Sequence, residues 1–196
     1  MKTKEQKAWI LNLANLLLCI IGYSWYCWQN VRGNTHPNVS SWTIWSFILV
    51  LNFTSYKQTT GNWRKSLFTA VNSMLVIITT LVLLILGNGT FRSLTAVDIM
   101  CIVIGVVAAL GWWYFKSSRF AQIAINTAII VGFIPTVIGV AHNPTNESWF
   151  PWFILSVTNV TQCFVIKFTG KGGWIEYLNP VNQMIFNGLV FILALR

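Results

Sequence analysis

The sequence predicts an all-α integral membrane protein: seven transmembrane helices, arranged as two parallel three-helix units joined by a linker helix. Three observations predict it. Charge is scarce, seven apolar runs approach the length of a bilayer span, and three of those runs repeat the pattern of three others.

Of 196 residues, 55% are hydrophobic and only 9% charged, against about 25% charged in ordinary soluble domains. Too few polar side chains remain to cover a globule in water, so a lipid bilayer must solvate much of the surface. The net charge is +9, but the basic residues fall between apolar runs, where they set membrane topology. Nucleic acid is therefore not an expected partner. Cys19, Cys27, Cys101 and Cys163 show no metal-ligand spacing, and three of them lie in apolar runs as packing residues do. No metal, cofactor or structural disulfide is expected. The first apolar run is too long for a signal peptide, lacks a small-residue cleavage site and is followed by further spans.

A bilayer core of ~30 Å needs about 20 apolar residues in a helix. The runs extend from about Ala8 to Trp28, Ser41 to Lys57, Ser66 to Leu86, Thr95 to Phe115, Arg119 to Ala141, Ser148 to Lys167 and Pro180 to Leu195. The second is interrupted by Asn52, Thr54 and Ser55. Trp25, Trp28, Trp42, Trp63, Trp112, Trp113, Trp149 and Trp174 fall near the ends of runs, as an interfacial aromatic belt requires. Lys2, Lys4, Lys7, Lys57, Arg64, Lys65, Lys116, Arg119, Lys167 and Lys171 collect on one side, leaving Arg32, Arg92 and Arg196 on the other. The positive-inside rule then places the amino terminus in the cytoplasm and the carboxy terminus outside. The expected location is a bacterial inner membrane.

Self-similarity organises the chain. Pro37, Ser41, Trp42, Trp45, Asn52 and Thr54 are matched by Pro144, Ser148, Trp149, Trp152, Asn159 and Thr161 at a constant offset of 107. Gly61 and Trp63 are echoed by Gly172 and Trp174, and Val71, Asn72 and Met74 by Val181, Asn182 and Met184, with offsets of 111 and 110. Small changes in loop length produce such drift. The repeat divides the chain into a first unit (1–94), a linker helix (95–118) and a second unit (119–196). An odd linker gives both units the same orientation, related by an axis along the membrane normal. Transporters built this way hold their substrate between the units near the midplane.

Within the spans a polar side chain needs a partner, because lipid offers none. Asn12, Asn15, Asn52, Asn72, Asn126, Asn159, Asn182 and Asn187 all fall there. Asn52, Asn72, Asn159 and Asn182 are repeat-matched and share one half of the bilayer, so they are candidates to converge on the axis. An amide both donates and accepts, which suits a neutral solute bearing hydroxyls or amides; interhelical bonding is the alternative use. Trp45 and Trp152 lie deeper than a belt needs, placed to stack on a ligand or to fill space. Asp98 is the one acid inside a predicted span. It sits about one turn into the linker, a position that fits proton coupling or a structural role.

His36-Pro37-Asn38 and Asn143-Pro144-Thr145, each ahead of a Trp-x-x-Trp helix, together with the 3+1+3 pattern, resemble the PQ-loop superfamily. That superfamily includes SWEET transporters, cystinosin and the KDEL receptor. The resemblance covers nearly the whole chain and extends to bacterial seven-helix proteins with Pro-Asn-x-x-Ser-Trp-x-x-Trp at this place. It implies that Asn72 and Asn182 match the solute-binding asparagines of the third helices, and that Pro37, Pro135 and Pro144 act as hinges. The family's Pro-Gln dipeptide is here Pro37-Asn38 and Pro144-Thr145, and the first span carries no proline.

No nucleophile, metal cluster or paired carboxylate occupies a predicted span, so enzymatic chemistry is not expected. The last span lacks the lysine a retinal protein needs. The expected function is alternating-access transport of a small neutral polar solute. A receptor of the KDEL-receptor type, binding without transport, is the alternative. Self-association is left open.

Overall fold

A computed structural model of the chain describes residues 2–86, 96–115, 118–169 and 173–196. Their architecture is helical: α1 (Lys2–Val31), α2 (Val39–Thr60), α3 (Trp63–Ile85), α4 (Ala96–Phe115), α5 (Ser118–His142), α6 (Trp149–Thr169) and α7 (Trp174–Ala194), with a single 3-10 turn at Pro144–Asn146. Among the described residues four helical stretches are long and apolar enough to cross a membrane, namely Thr3–Val31, Trp63–Ile85, Arg119–His142 and Trp149–Thr169.

The distribution of polarity is the reverse of a soluble bundle. Ile10, Leu17, Ile78, Ile85, Leu110 and Ile192 are exposed, while Asn12, Asn15, Asn52, Gln122, Gln162 and Asn182 are buried. Backbone amides are satisfied within each helix, so an apolar exterior meets lipid at no hydrogen-bonding cost. This is the make-up of a membrane protein.

Local chemistry sets the turns. Gly61 closes α2 at φ 58°, the left-handed conformation that glycine adopts without strain, and its amide bonds the Lys57 carbonyl. Asn62 then caps α3, its side chain accepting from the Arg64 amide at 2.9 Å.

Helix α1 packs against α3 and α6, α2 against α3 and α5, and α7 against α5 and α6. Helix α4 lies at the edge, on α5 and α2. The bundle therefore has an amino end, where α1 begins and α2 meets α3, and a far end, where α1 meets α2 and α5 meets α6.

Several boundaries differ from the sequence expectation. Helix α1 begins six residues earlier than Ala8, because its polar first turns remain good helix formers. Helix α7 begins at Trp174 rather than Pro180. Gly173 precedes it as N-cap and Glu176 sits in its first turn, where a carboxylate is favoured by the helix dipole. Trp42, expected in the interfacial belt, is 3% exposed and part of the core, because its indole N–H finds a partner indoors (Tyr26, below). Trp25, Trp28, Trp63, Trp113, Trp149 and Trp174 are exposed as a belt would have them. The side chains of Asp98 and Trp112 lie outside the described residues.

Candidate binding site

Helices α1, α2, α3, α5, α6 and α7 enclose a cavity lined on its aromatic side by Tyr23, Trp42, Trp45, Phe133 and Trp152. Asn72, Asn159, Gln183 and Asn187 supply its amides. The rings support one another. Trp45 lies 5.0 Å from Phe133 and 6.4 Å from Trp152, centroid to centroid, with the Trp pair edge to face. A cavity of about 30 Å³ holds one or two waters; drug-sized ligands occupy about 300–1,000 Å³. The helices must separate before this cavity can hold a metabolite.

Its polar groups are incompletely used. The Asn72 carbonyl oxygen accepts from the Tyr23 hydroxyl at 2.8 Å, and its amide nitrogen meets no partner among the described residues. Asn159 donates to the Leu155 carbonyl of its own helix at 2.7 Å. Trp45 is 7% exposed and its indole N–H meets no acceptor among the described residues. Gln183 and Asn187, one turn apart on α7 and both on the cavity wall, make no side-chain hydrogen bond among the described residues. A neutral solute with donors and acceptors would satisfy all of these at once.

Of the six predicted ligand contacts, the structure brings Trp45, Trp152, Asn72 and Asn159 to this cavity. Asn52 and Asn182 do not line it. Gln122 donates to the Asn52 side-chain oxygen at 3.3 Å and to its backbone carbonyl at 3.2 Å. Asn182 donates to the side-chain oxygen and the carbonyl of Asn126 at 3.3 and 3.1 Å. Both asparagines thus join α5 to a neighbouring helix. Pro135 lies inside α5, whereas Pro37 is in the α1–α2 connection and Pro144 opens the 3-10 turn.

Two buried acids bracket the cavity. At the amino end Glu176 pairs with Lys65 at 2.7 Å, both nearly inaccessible, and Gln162 donates to the Lys65 carbonyl at 3.4 Å. At the far end Glu147, between the 3-10 turn and α6, is 7% exposed. Its carboxylate accepts from the Tyr26 hydroxyl at 3.2 Å and the Trp152 indole at 3.1 Å, and Trp42 in turn donates to the Tyr26 oxygen at 3.0 Å. Burial pushes the Glu147 carboxyl up to about 7, against the lowering effect of the two donors. Glu147 also borders an open vestibule of about 400 Å³ that His36, Pro37, Asn38, Pro135 and Asn146 share.

Gln183 has only Ser73 at the corresponding repeat position, and Asn187 has Ile77. A search for matched residues passes both over. Glu147 reads as a surface loop residue from its Asn-Glu-Ser context. The signal for Lys65 and Glu176 was available: they are repeat equivalents, 111 apart, with opposite charge. No family model, curated protein or solved structure matches the chain.

Proposed function

We propose that this protein carries a small neutral polar solute across a bacterial inner membrane by alternating access. The central cavity would be the binding site and the amino terminus cytoplasmic. The observation that supports this most is the cavity itself, enclosed by six helices, walled by aromatic rings and lined by four side-chain amides, with the Trp45 indole N–H unpaired among the described residues. An aromatic wall suits a planar or ring-shaped solute, and the amides suit its hydroxyl or amide groups. Binding in the contracted cavity of about 30 Å³ would require the helices to part, which is the motion that transport uses.

We read the seven helices as two three-helix units, α1–α3 and α5–α7, with α4 as linker. Equivalent packings support that reading: α1 on α3 and α5 on α7, α2 on α3 and α6 on α7, α1 on α6 and α5 on α2. Repeat equivalents also face each other, Trp45 toward Trp152 and Lys65 toward Glu176. Residues related by a twofold axis meet their mates only near that axis. The resemblance to PQ-loop proteins agrees with this arrangement.

The test is a thermal-shift screen of detergent-purified protein against sugars, nucleosides, vitamins and amino acids. A ligand at a hundredfold excess over Kd adds ~2.7 kcal/mol. The hit should vanish in Asn187→Leu and Asn72→Leu and persist in Asn182→Ala. Equal shifts in all three variants would place binding elsewhere. Uptake of the hit by vesicles carrying the protein then separates transport from binding alone.

A further inference from the structure

The far end of the cavity is closed by one hydrogen-bonded chain. Trp42 of α2 donates to Tyr26 of α1, and Tyr26 and Trp152 of α6 both bond Glu147. Trp42 and Trp152 are themselves cavity wall. Glu147 is therefore the knot that ties α1, α2 and α6 together between vestibule and cavity. It is a carboxylate with no cation in ion-pair reach among the described residues. The groups that face it are few. Tyr26 comes from α1 and His36 from the α1–α2 connection, across the shared vestibule. Arg196, beyond α7, borders a second opening that Glu147 also lines, and it donates to the Ala141 carbonyl. The other residues lining the two openings, among them Gln29, Asn34, Thr35, Asn38, Asn146 and Ser148, carry no charge.

A buried carboxylate without a counter-ion is costly as an anion and cheap as a neutral acid. Its two oxygens meet only neutral donors, the Tyr26 hydroxyl and the Trp152 indole, so no charge beside it compensates the anion. Water in the vestibule supplies the proton, hydronium giving water as carboxylate becomes carboxylic acid.

We propose that Glu147 is a proton-binding site whose protonation accompanies closure of the far end, making the proton the coupling ion of the transport proposed above. The inference rests on that transport reading. Opening hydrates Glu147 and returns it toward ordinary carboxylate behaviour. The closed form therefore binds the proton more tightly, and low pH favours closure. Between pH 4.5 and about 7 the open fraction rises about tenfold per pH unit, and it levels off above that window.

The experiment uses Leu49→Cys, on the cavity wall, with Cys19, Cys27, Cys101 and Cys163 changed to alanine. The protein is reconstituted in vesicles and labelled by a membrane-impermeant methanethiosulfonate from the far-end side. Labelling rates are divided by those of the same protein carrying Glu147→Gln, which cancels the thiol's own ionisation. The ratio should climb by a factor of a hundred or so from pH 4.5 to 7. Tyr26→Phe removes a donor that holds the carboxyl down, so it should move the upper limit of the climb to higher pH. His36→Asn, which removes the imidazole that shares the vestibule with Glu147, should leave the climb intact. A flat ratio, a climb lost in His36→Asn, or a dependence on sodium at constant pH would overturn the proton site while alternating access stood. Absence of labelling from either side at every pH, in both proteins, would overturn both.

Discussion

The two ends of the bundle are closed by opposite electrostatic means. At the amino end a buried lysine neutralises a buried glutamate, Lys65 to Glu176 at 2.7 Å. At the far end Glu147 has only neutral donors, Tyr26 and Trp152. An ion pair carries its own compensation, each charge neutralised by its partner within the protein. A lone carboxylate must borrow a proton from the medium. The comparison teaches that similar burial is compensated by a partner charge at one end and, at the other, leaves a carboxyl with a raised affinity for a proton.

The sharpest way to break the comparison is to remove the lysine. Lys65→Met leaves Glu176 buried and unpaired, which costs about 3–5 kcal/mol. The double change Lys65→Met with Glu176→Leu should recover most of that, because two apolar side chains carry no desolvation penalty. Thermal melting in detergent reads both. A single variant that melts with the wild type would mean that water reaches Glu176 and the amino end is no lock.

The far end offers the second test. A raised carboxyl pKa means the folded protein holds a proton that the unfolded chain releases. That contribution is fully present below pH 4.5 and is lost as pH rises to about 7. The loss is on the order of 3 kcal/mol. Glu147→Gln should therefore melt like the wild type in acid and above it at pH 8. Parallel pH profiles for the two proteins would show Glu147 already hydrated.

These two locks mark where the sequence could and could not be read. Charge scarcity and span length expose a membrane protein directly, and matched tryptophans and asparagines lead to four of the cavity residues, Trp45, Trp152, Asn72 and Asn159. The repeat is also what hides Gln183 and Asn187, since a cavity off the exact axis is lined by unmatched residues. It equally overstates Asn52 and Asn182. Periodicity says which residues are buried, but whether a buried amide faces a cavity or a neighbouring helix depends on Gln122 and Asn126, partners 70 and 56 residues away. Glu147 lies in a loop by any hydropathy measure, and only the folding of Tyr26 and Trp152 over it makes it an interior group.

The cavity wall itself gives the next prediction. A Cβ on Gly132 would stand 2.5 Å from the Trp45 indole nitrogen, and a ring wedged between Phe133 and Trp152 has little freedom to retreat. Gly132→Ala should cost about 1–3 kcal/mol by overpacking and weaken any ligand that relies on Trp45, as read by melting and by the thermal-shift hit. Unchanged stability would show the aromatic wall to be looser than its packing implies.

The smallest effect compares two tyrosine hydroxyls, one near each end. Tyr26 donates to Glu147 and accepts from Trp42, so Tyr26→Phe strands an indole N–H and strips a donor from the carboxylate. Tyr56, at 2% exposure on α2, has no hydrogen-bond partner among the described residues. Tyr56→Phe removes a desolvated hydroxyl that gains nothing from being buried. A broken hydrogen bond costs about 1–3 kcal/mol when it leaves its partner unsatisfied, whereas deleting an already unsatisfied group is neutral or stabilising. The same one-atom change should therefore lower the melting temperature at position 26 and hold or raise it at position 56. Equal losses at both would mean that Tyr56 finds a partner, a water or a ligand at the amino end, and that this end is less dry than the ion pair beside it requires.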